Sequence, residues 1–190
     1  MSFYSEDELR ELGFAYCGQG VKISRKASLY NTKRISVGDF SRIDDFCVLS
    51  AGEGGIEIGR HVHIAVFALL IGQGKITLGD FVGISSRAAV YSSNDDYSGA
   101  FMTNPTVPSE YTNVTAAPVT IGRHALIGSG TVVLPGLDIA EGVAIGALSL
   151  ITRDCESFGV YVGAPARKVK ERQRNLLDLE QAFLKSISSD

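Results

Sequence analysis

Residues 119–154 read VTIGRHALIGSGTVVLPGLDIAEGVAIGALSLITRD, and within them Ile121, Ile127, Val133, Ile139, Ile145 and Ile151 fall six apart without interruption. A period of six fits neither the helical turn near 3.6 residues nor the alternation of a long strand, but it suits short strands joined by tight corners. One aliphatic residue per strand then points inward. The small residue four positions later, as at Ala125, Thr131, Val143 and Ser149, points inward near the next corner, and Leu137 departs from this pattern.

Working outward, the same spacing returns at Leu78, Ile84 and Val90, at Ile58, Ile64 and Leu70, at Val37, Ile43 and Leu49, and in part at Ile23 and Leu29. Three strands make one coil. The interruptions are NTKR after Leu29, AGEGG after Leu49, GQGK after Leu70 and a long segment after Val90, and each follows a third strand. They therefore stack on one edge. A coil of a solenoid buries its apolar face only against its neighbours, and insertions gathered on one edge commonly build the working surface.

The composition narrows the function classes. A chain of 190 residues with 45% hydrophobic and 21% charged residues, at a net charge of -3, is long enough to bury a core and is expected to form one domain. The mildly acidic balance and lack of a basic cluster argue against nucleic acid as a partner. The longest apolar run, IAVFALLI at 64–71, is too short to span a membrane, and MSFYSEDELREL at 1–12 is acidic where a secretion signal is basic, so a cytoplasmic protein is expected. Cys17, Cys47 and Cys155 form no CxxC, which suggests neither a disulfide framework nor a thiolate metal site. Cys47 and Cys155 fill the small-residue slot and are read as packing residues.

The repeat over residues 20–165, with the ending YVGAPARKVKE at 161–171, resembles the hexapeptide-repeat acyltransferases that use acyl-CoA, among them galactoside, maltose and chloramphenicol acetyltransferase-like enzymes. A closer likeness is to those that acylate nucleotide-linked amino sugars for bacterial surface polysaccharides and O-antigen. The resemblance implies an all-β solenoid, a left-handed parallel β-helix. That hand is the family's, since parallel crossovers are ordinarily right-handed. The expected organisation is a single domain with an N-terminal helical cap over 1–19, the β-helix over 20–163 carrying an inserted loop at 92–118, and a C-terminal helix over 164–190. Ser5 to Glu8 reads as a capping box that starts the first helix. The last helix is expected to carry Val169, Leu176, Leu177, Phe183 and Leu184 as a packing stripe over the open end of the solenoid.

The inserted loop opens with YSSNDDYSG at 91–99, and no histidine lies between His63 and His124. In the resembling transferases a long loop covers the site at a subunit boundary, with a histidine near its start as general base. Here either Asp95 or Asp96 carries that task or the chain has lost the chemistry. A carboxylate is a poor base for a sugar hydroxyl but can attract an ammonium and relieve it of a proton, leaving an amine that attacks a thioester. The aspartate pair therefore favours transfer to nitrogen over transfer to oxygen; a sugar O-acetyltransferase and a non-catalytic β-helix scaffold are the alternatives. Asn and Asp also cap turns, which is the plain structural reading of NDD. Tyr91, Asn94 and His63 are candidate substrate-binding residues. The β-helical carbonic anhydrases hold zinc with three histidines, but His61, His63 and His124 do not occupy equivalent repeat positions, and no metal is expected.

Acetyl-CoA is the expected co-substrate. The resemblance places its pantetheine arm near Ser129 and Ala147, one coil apart, where small residues admit an extended thioester arm. Thr152 and Arg153 match a Thr-Lys pair of the family, and Arg167 and Lys170 match basic residues near the nucleotide phosphates. The outward column on the third strands reads Val48, Leu69, Ala89, Val132 and Leu150, apolar in every coil, whereas the first strands give Ser36, Glu57, Thr77, Thr120 and Asp138. Since the resembling transferases are trimers with sites between subunits, a homotrimer using the third face is expected, with Asp95 beside a neighbour's coils.

Overall fold

The computed structural model describes residues 2–187. Its short strands wind into a three-faced parallel β-helix, with six strands in the first sheet, eight in the second and six in the third. Each inward aliphatic residue stacks on its equivalent in the next coil: Val37 on Ile58, Leu78 and Ile121 in the first sheet, and Ile43 on Ile64, Ile84 and Ile127 in the second. In the third, Leu49 stacks on Leu70, Val90, Val133 and Ile151. All these side chains are buried, as are Cys47, Ala68, Ala125 and Thr131 in the small-residue slot. A slip by one residue would turn every aliphatic side chain to solvent, so the hexad itself fixes the register.

After the first coil, two corners of each coil turn through a residue in the left-handed region. Phe40, His61, Phe81 and His124 lie between the first and second sheets, and Phe46, Phe67, Arg87 and Leu148 between the second and third, all with φ between 55° and 63°. A side chain there costs roughly 1–2 kcal/mol. The rings recover much of it by stacking, at about 0.5–1.5 kcal/mol per pair. Phe40–His61 lie 5.2 Å apart, His61–Phe81 and Phe81–His124 5.0 Å, and Phe46–Phe67 5.0 Å. The first ladder passes to Gly142, where φ is 70° and the Phe158 ring fills the space in which a Cβ would stand.

The N-terminal helix α1, Glu6–Glu11, starts at the expected capping box, with both Ser5 and Glu8 bonds formed. The solenoid begins earlier than residue 20, because Tyr16–Cys17 already pairs with Ser36–Val37 in the first sheet.

The C-terminal helix requires a larger correction. Gly159–Gly163 joins the second sheet through Ala144↔Val160 and Ile145↔Tyr161, and Ala166–Glu171 folds back on it antiparallel. The helix α2 spans only Asn175–Ile187. Residues 166–174 favour a helix by propensity, but a waiting sheet edge and the turn at Gly163 and Pro165 offer them a ladder of backbone bonds instead. Nor does α2 cover the open end. Phe183 meets the rings of His61 and Phe81, and Glu180 bonds Arg123 and His124, so the helix runs back along the corner ladder between the first and second sheets. Arg172 fastens its approach, donating to the carbonyls of His124 and Gly142 at 2.8 and 3.0 Å. Val169 lies on the hairpin, outside the helical stripe.

Candidate active site

The repeat breaks at Val90 because the chain leaves the solenoid as an arm. Ser92 is buried at its base and donates to the Gly74 carbonyl at 2.7 Å, and Ala117 returns by donating to the Ser92 carbonyl at 3.0 Å. Between them the arm's two ends pair antiparallel, Ser93 with Ala116 and Asn94 with Thr115. This stem gives the loop a fixed exit angle. Further out, Met102 donates to the Tyr111 carbonyl at 2.9 Å, and Asn104 accepts from the amide and hydroxyl of Thr106.

The two aspartates that follow the stem do different things. Asp96 accepts from the Ser98 hydroxyl at 2.8 Å, from the Gly99 amide at 3.0 Å and from the Phe101 amide at 3.3 Å. Chiefly the Ser98 hydroxyl, with help from the amides, holds its carboxyl below the usual carboxylate range. Asp96 is thus spent on ordering the arm, the turn-capping role open to any NDD. Asp95 is exposed and makes no hydrogen bond or ion pair within the described chain.

Asp95 stands where two clefts meet. The larger, of about 1020 Å³, lies between the arm and the earlier coils at Ser50–Gly52 and Ile71–Gln73. The smaller, of about 410 Å³, faces the later coils and is lined by Tyr91, Asn94, Tyr97, Val132 and Leu134. Asp95, Ser93 and Val114 line both, and among the described residues Asp95 is the only charged side chain in either. Tyr91 and Asn94 are therefore brought together with Asp95. Ser93 and Val114 were not legible in the sequence, since their joint position follows from the pairing of the arm's distant ends.

His63 belongs to a separate place. It lies on the second sheet, in the column Arg42↔His63↔Gly83, and lines neither cleft of its own chain. Its Nε2 is 2.8 Å from Oδ2 of Asp44, and Arg42 Nε donates to the other oxygen at 2.6 Å.

The six residues expected to hold coenzyme A do not converge on one cavity. Thr152, Arg153 and Arg167 line a small hollow of about 130 Å³ near the end of the solenoid. Lys170 pairs with Val160 and lines a different hollow beside the start of α2. Lys168 joins the Arg167 group but is held by Glu171 and, next, Glu156, which push its ammonium well above the ordinary lysine range. Ser129 and Ala147 are exposed on the corner between the second and third sheets, stacked so that the Leu148 amide donates to the Ser129 carbonyl at 2.8 Å.

The remaining candidates are quiet. Burial pushes the Cys47 and Cys155 thiols up to about 11, and all three cysteines are free. Among the described residues no group of three His, Cys, Asp or Glu could hold a metal ion, and no helix is long and apolar enough to cross a membrane.

A parallel β-helix of hexads with a stemmed arm over a cleft defines a hexapeptide-repeat acyltransferase. No family model matches the chain. It is 53% identical over 190 residues to the dTDP-4-amino-4,6-dideoxy-D-glucose acyltransferase of Escherichia coli, covering 100% of this chain and 99% of that one. The chain belongs to that acyltransferase family. The fold superposes on AntD, an N-acyltransferase from Bacillus cereus, in complex with dTDP and 3-hydroxybutyryl-CoA, with TM-score 0.93 and 44% identity over 98% of each chain. A mutant AntD in complex with dTDP-4-amino-4,6-dideoxyglucose and Coenzyme A gives TM-score 0.93 at 44% identity, covering 97% of this chain and 98% of that one.

Proposed function

We propose that this protein transfers an acetyl or similar short acyl group from acyl-CoA to the amino group of a dTDP-linked 4-amino-4,6-dideoxy sugar. The observation that carries the reading is the charge pattern: among the described residues Asp95 is an unpartnered carboxylate and the sole charge in two adjoining clefts. Such a group attracts an ammonium and little else.

The acceptor nitrogen arrives protonated and gives one proton to Asp95. Its freed lone pair forms the C–N bond at the thioester carbonyl, the C–S bond breaks, and the thiolate leaves with the second nitrogen proton. A backbone amide beside the carbonyl would stabilise the developing oxyanion. Asp96 keeps the arm, and hence Asp95, in place. Arg153 and Arg167 would meet coenzyme A phosphates, with Ser129 and Ala147 leaving room for its arm.

Assembly follows from the faces. The third sheet's outward column of Val48, Leu69, Val132 and Leu150 is only part-covered, and the corner beside it exposes Phe46, Phe67 and Leu148, the last at 79%. Phe183 packs on His61 and Phe81 of the other corner ladder; on this one only Lys26 lies over Phe46 among the described residues. On the second sheet Leu126 projects at 43% exposure, while the first sheet is polar. A closed trimer in which the second sheet of one copy meets the third sheet of the next covers the third sheet's apolar column together with Leu126 and leaves the polar first sheet to water. The arm of each copy, with exposed Tyr97, Phe101 and Tyr111, then reaches over its neighbour. The nucleotide on the sugar is a leaving group for glycosyl transfer, so we place the reaction in the cytoplasm, ahead of surface-polysaccharide or O-antigen assembly.

The test is release of free thiol from acetyl-CoA and 3-hydroxybutyryl-CoA in the presence of dTDP-4-amino-4,6-dideoxyglucose. Its 4-hydroxy counterpart separates nitrogen from oxygen transfer. Thiol release with the hydroxy sugar alone, or with neither, overturns the reading.

A further inference from the structure

We propose that Asp44 and His63 of one copy form a polar dyad that completes the site at Asp95 of the next copy. His63 accepts a hydrogen from the acceptor sugar, and Asp44 is the positioning residue behind it. The inference rests on the shared-site reading above.

The dyad is costly where it stands. Asp44 is only 4% exposed, and its partners Arg42 and His63 stand in an outward column whose later coils use Leu126, Ala144 and Val160. A buried carboxylate must have partners, and apolar residues of like size usually serve stability as well or better. Both oxygens are engaged, one by Arg42 and one by His63. A carboxylate oxygen accepts, so Nε2 of His63 is the nitrogen that donates to Asp44. Nδ1 of the half-exposed ring is the nitrogen left to a ligand. The next coil carries Gly83 in the same column, and the coil after it Leu126. Leu126 leans back over Gly83, its Cδ1 3.1 Å from where a Cβ would stand, so a leucine side chain follows His63 along this face.

His63 is the first residue of its strand, nearest the corner between the first and second sheets, whereas Asp95 stands beyond the opposite edge of the third sheet. With the second sheet of one copy against the third of the next, the Phe46–Phe67 corner lies toward the threefold axis. The arm leaves the outer end of its own third sheet and overlies the outer end of the neighbour's second sheet. That is the end where His63 stands. Asp95 then takes the ammonium proton, while Nδ1 receives a hydrogen from the ammonium or a ring hydroxyl, an interaction present in ground and transition states alike.

The decisive variant is Asp44→Asn in the full-length assembly. Its amide offers Nε2 a donor, so His63 should move its proton to Nδ1 and turn a donor outward. With three histidines in the chain, ¹⁵N shifts report this directly. The expected result is a tautomer change, a KM for the amino sugar raised about tenfold, and kcat and the KM for acetyl-CoA held. His63→Gln, which can keep the bond to Asp44, should raise the same KM without disturbing the fold. A tautomer change with an unmoved KM makes the dyad purely structural and overturns the proposal, as does a KM and tautomer both unchanged. Placement is tested by refolding His63→Ala and Asp95→Asn chains together. Each mixed trimer should regain about a third of the wild-type rate at low sugar concentration, since one of its three boundaries pairs two intact groups. No regain in verified mixed trimers refutes the shared dyad. An Asp95→Asn enzyme with full turnover would instead end the proton-acceptor reading and leave the Asp44 readouts standing.

Discussion

Phe183 of α2 stands edge-on to the imidazole of His61, ring centroids 5.2 Å apart at 79°, and so locks the C-terminal helix onto a corner ladder several coils in from the solenoid's end. Phe183→Ala should cost about 1–2 kcal/mol, less than a fully buried phenylalanine because its ring is 40% exposed. Urea unfolding measures the loss. Amide exchange should rise in α2 while the arm's amides stay protected, because Phe183 packs on the rings of His61 and Phe81.

Asp95→Asn should lower kcat by about 10²- to 10⁴-fold, the range for a positioned proton acceptor, and leave acetyl-CoA affinity nearly unchanged. Steady-state kinetics with calorimetric titration of acetyl-CoA separates the two. Wild-type turnover in this variant would remove Asp95 from the role.

Asp96 should show itself as order in the arm. Asp96→Ala should speed exchange at the Gly99 and Phe101 amides, which its carboxylate accepts from. The pH dependence has a definite sign. Its folded pKa is depressed, so its contribution is complete above the unfolded value of about 4 and fades as pH falls through the lower folded value. The amides should therefore keep their protection from pH 7 down to about pH 4.

Arg167 and Lys170 should separate under charge reversal. Arg167→Glu is expected to raise KM for acetyl-CoA more than it lowers kcat, since phosphate contacts are made in both ground and transition states. Lys170→Glu should do markedly less, because Lys170 lines a different hollow. Equal effects would show that coenzyme A bridges both.

Leu69→Asp should dissociate the assembly and abolish activity together, while Thr77→Asp on the polar first sheet should do neither. Light scattering gives the mass. An intact trimer carrying Leu69→Asp would show the third sheet covered by some other route.

The hexad is a local signal, and what depended on it was legible: the three sheets, the stacking of Ile43 on Ile64 and Ile84, the core positions and the edge on which Asp95 leaves the solenoid. Strand period and corner spacing are properties of neighbouring residues, so the sequence carries them directly. Residues 166–171 show the limit, since an edge of the second sheet overrode a helical propensity that is real only in the absence of that edge. The division of labour between Asp95 and Asp96 was hidden for a related reason: adjacent identical side chains differ only in which amides and hydroxyls the folded arm brings to them. The His63–Asp44 contact joins side chains in successive coils, and neither the period nor the residue types distinguish it from any other outward pair. Such contacts are decided by which coil lies above which, and only the tertiary structure sets that.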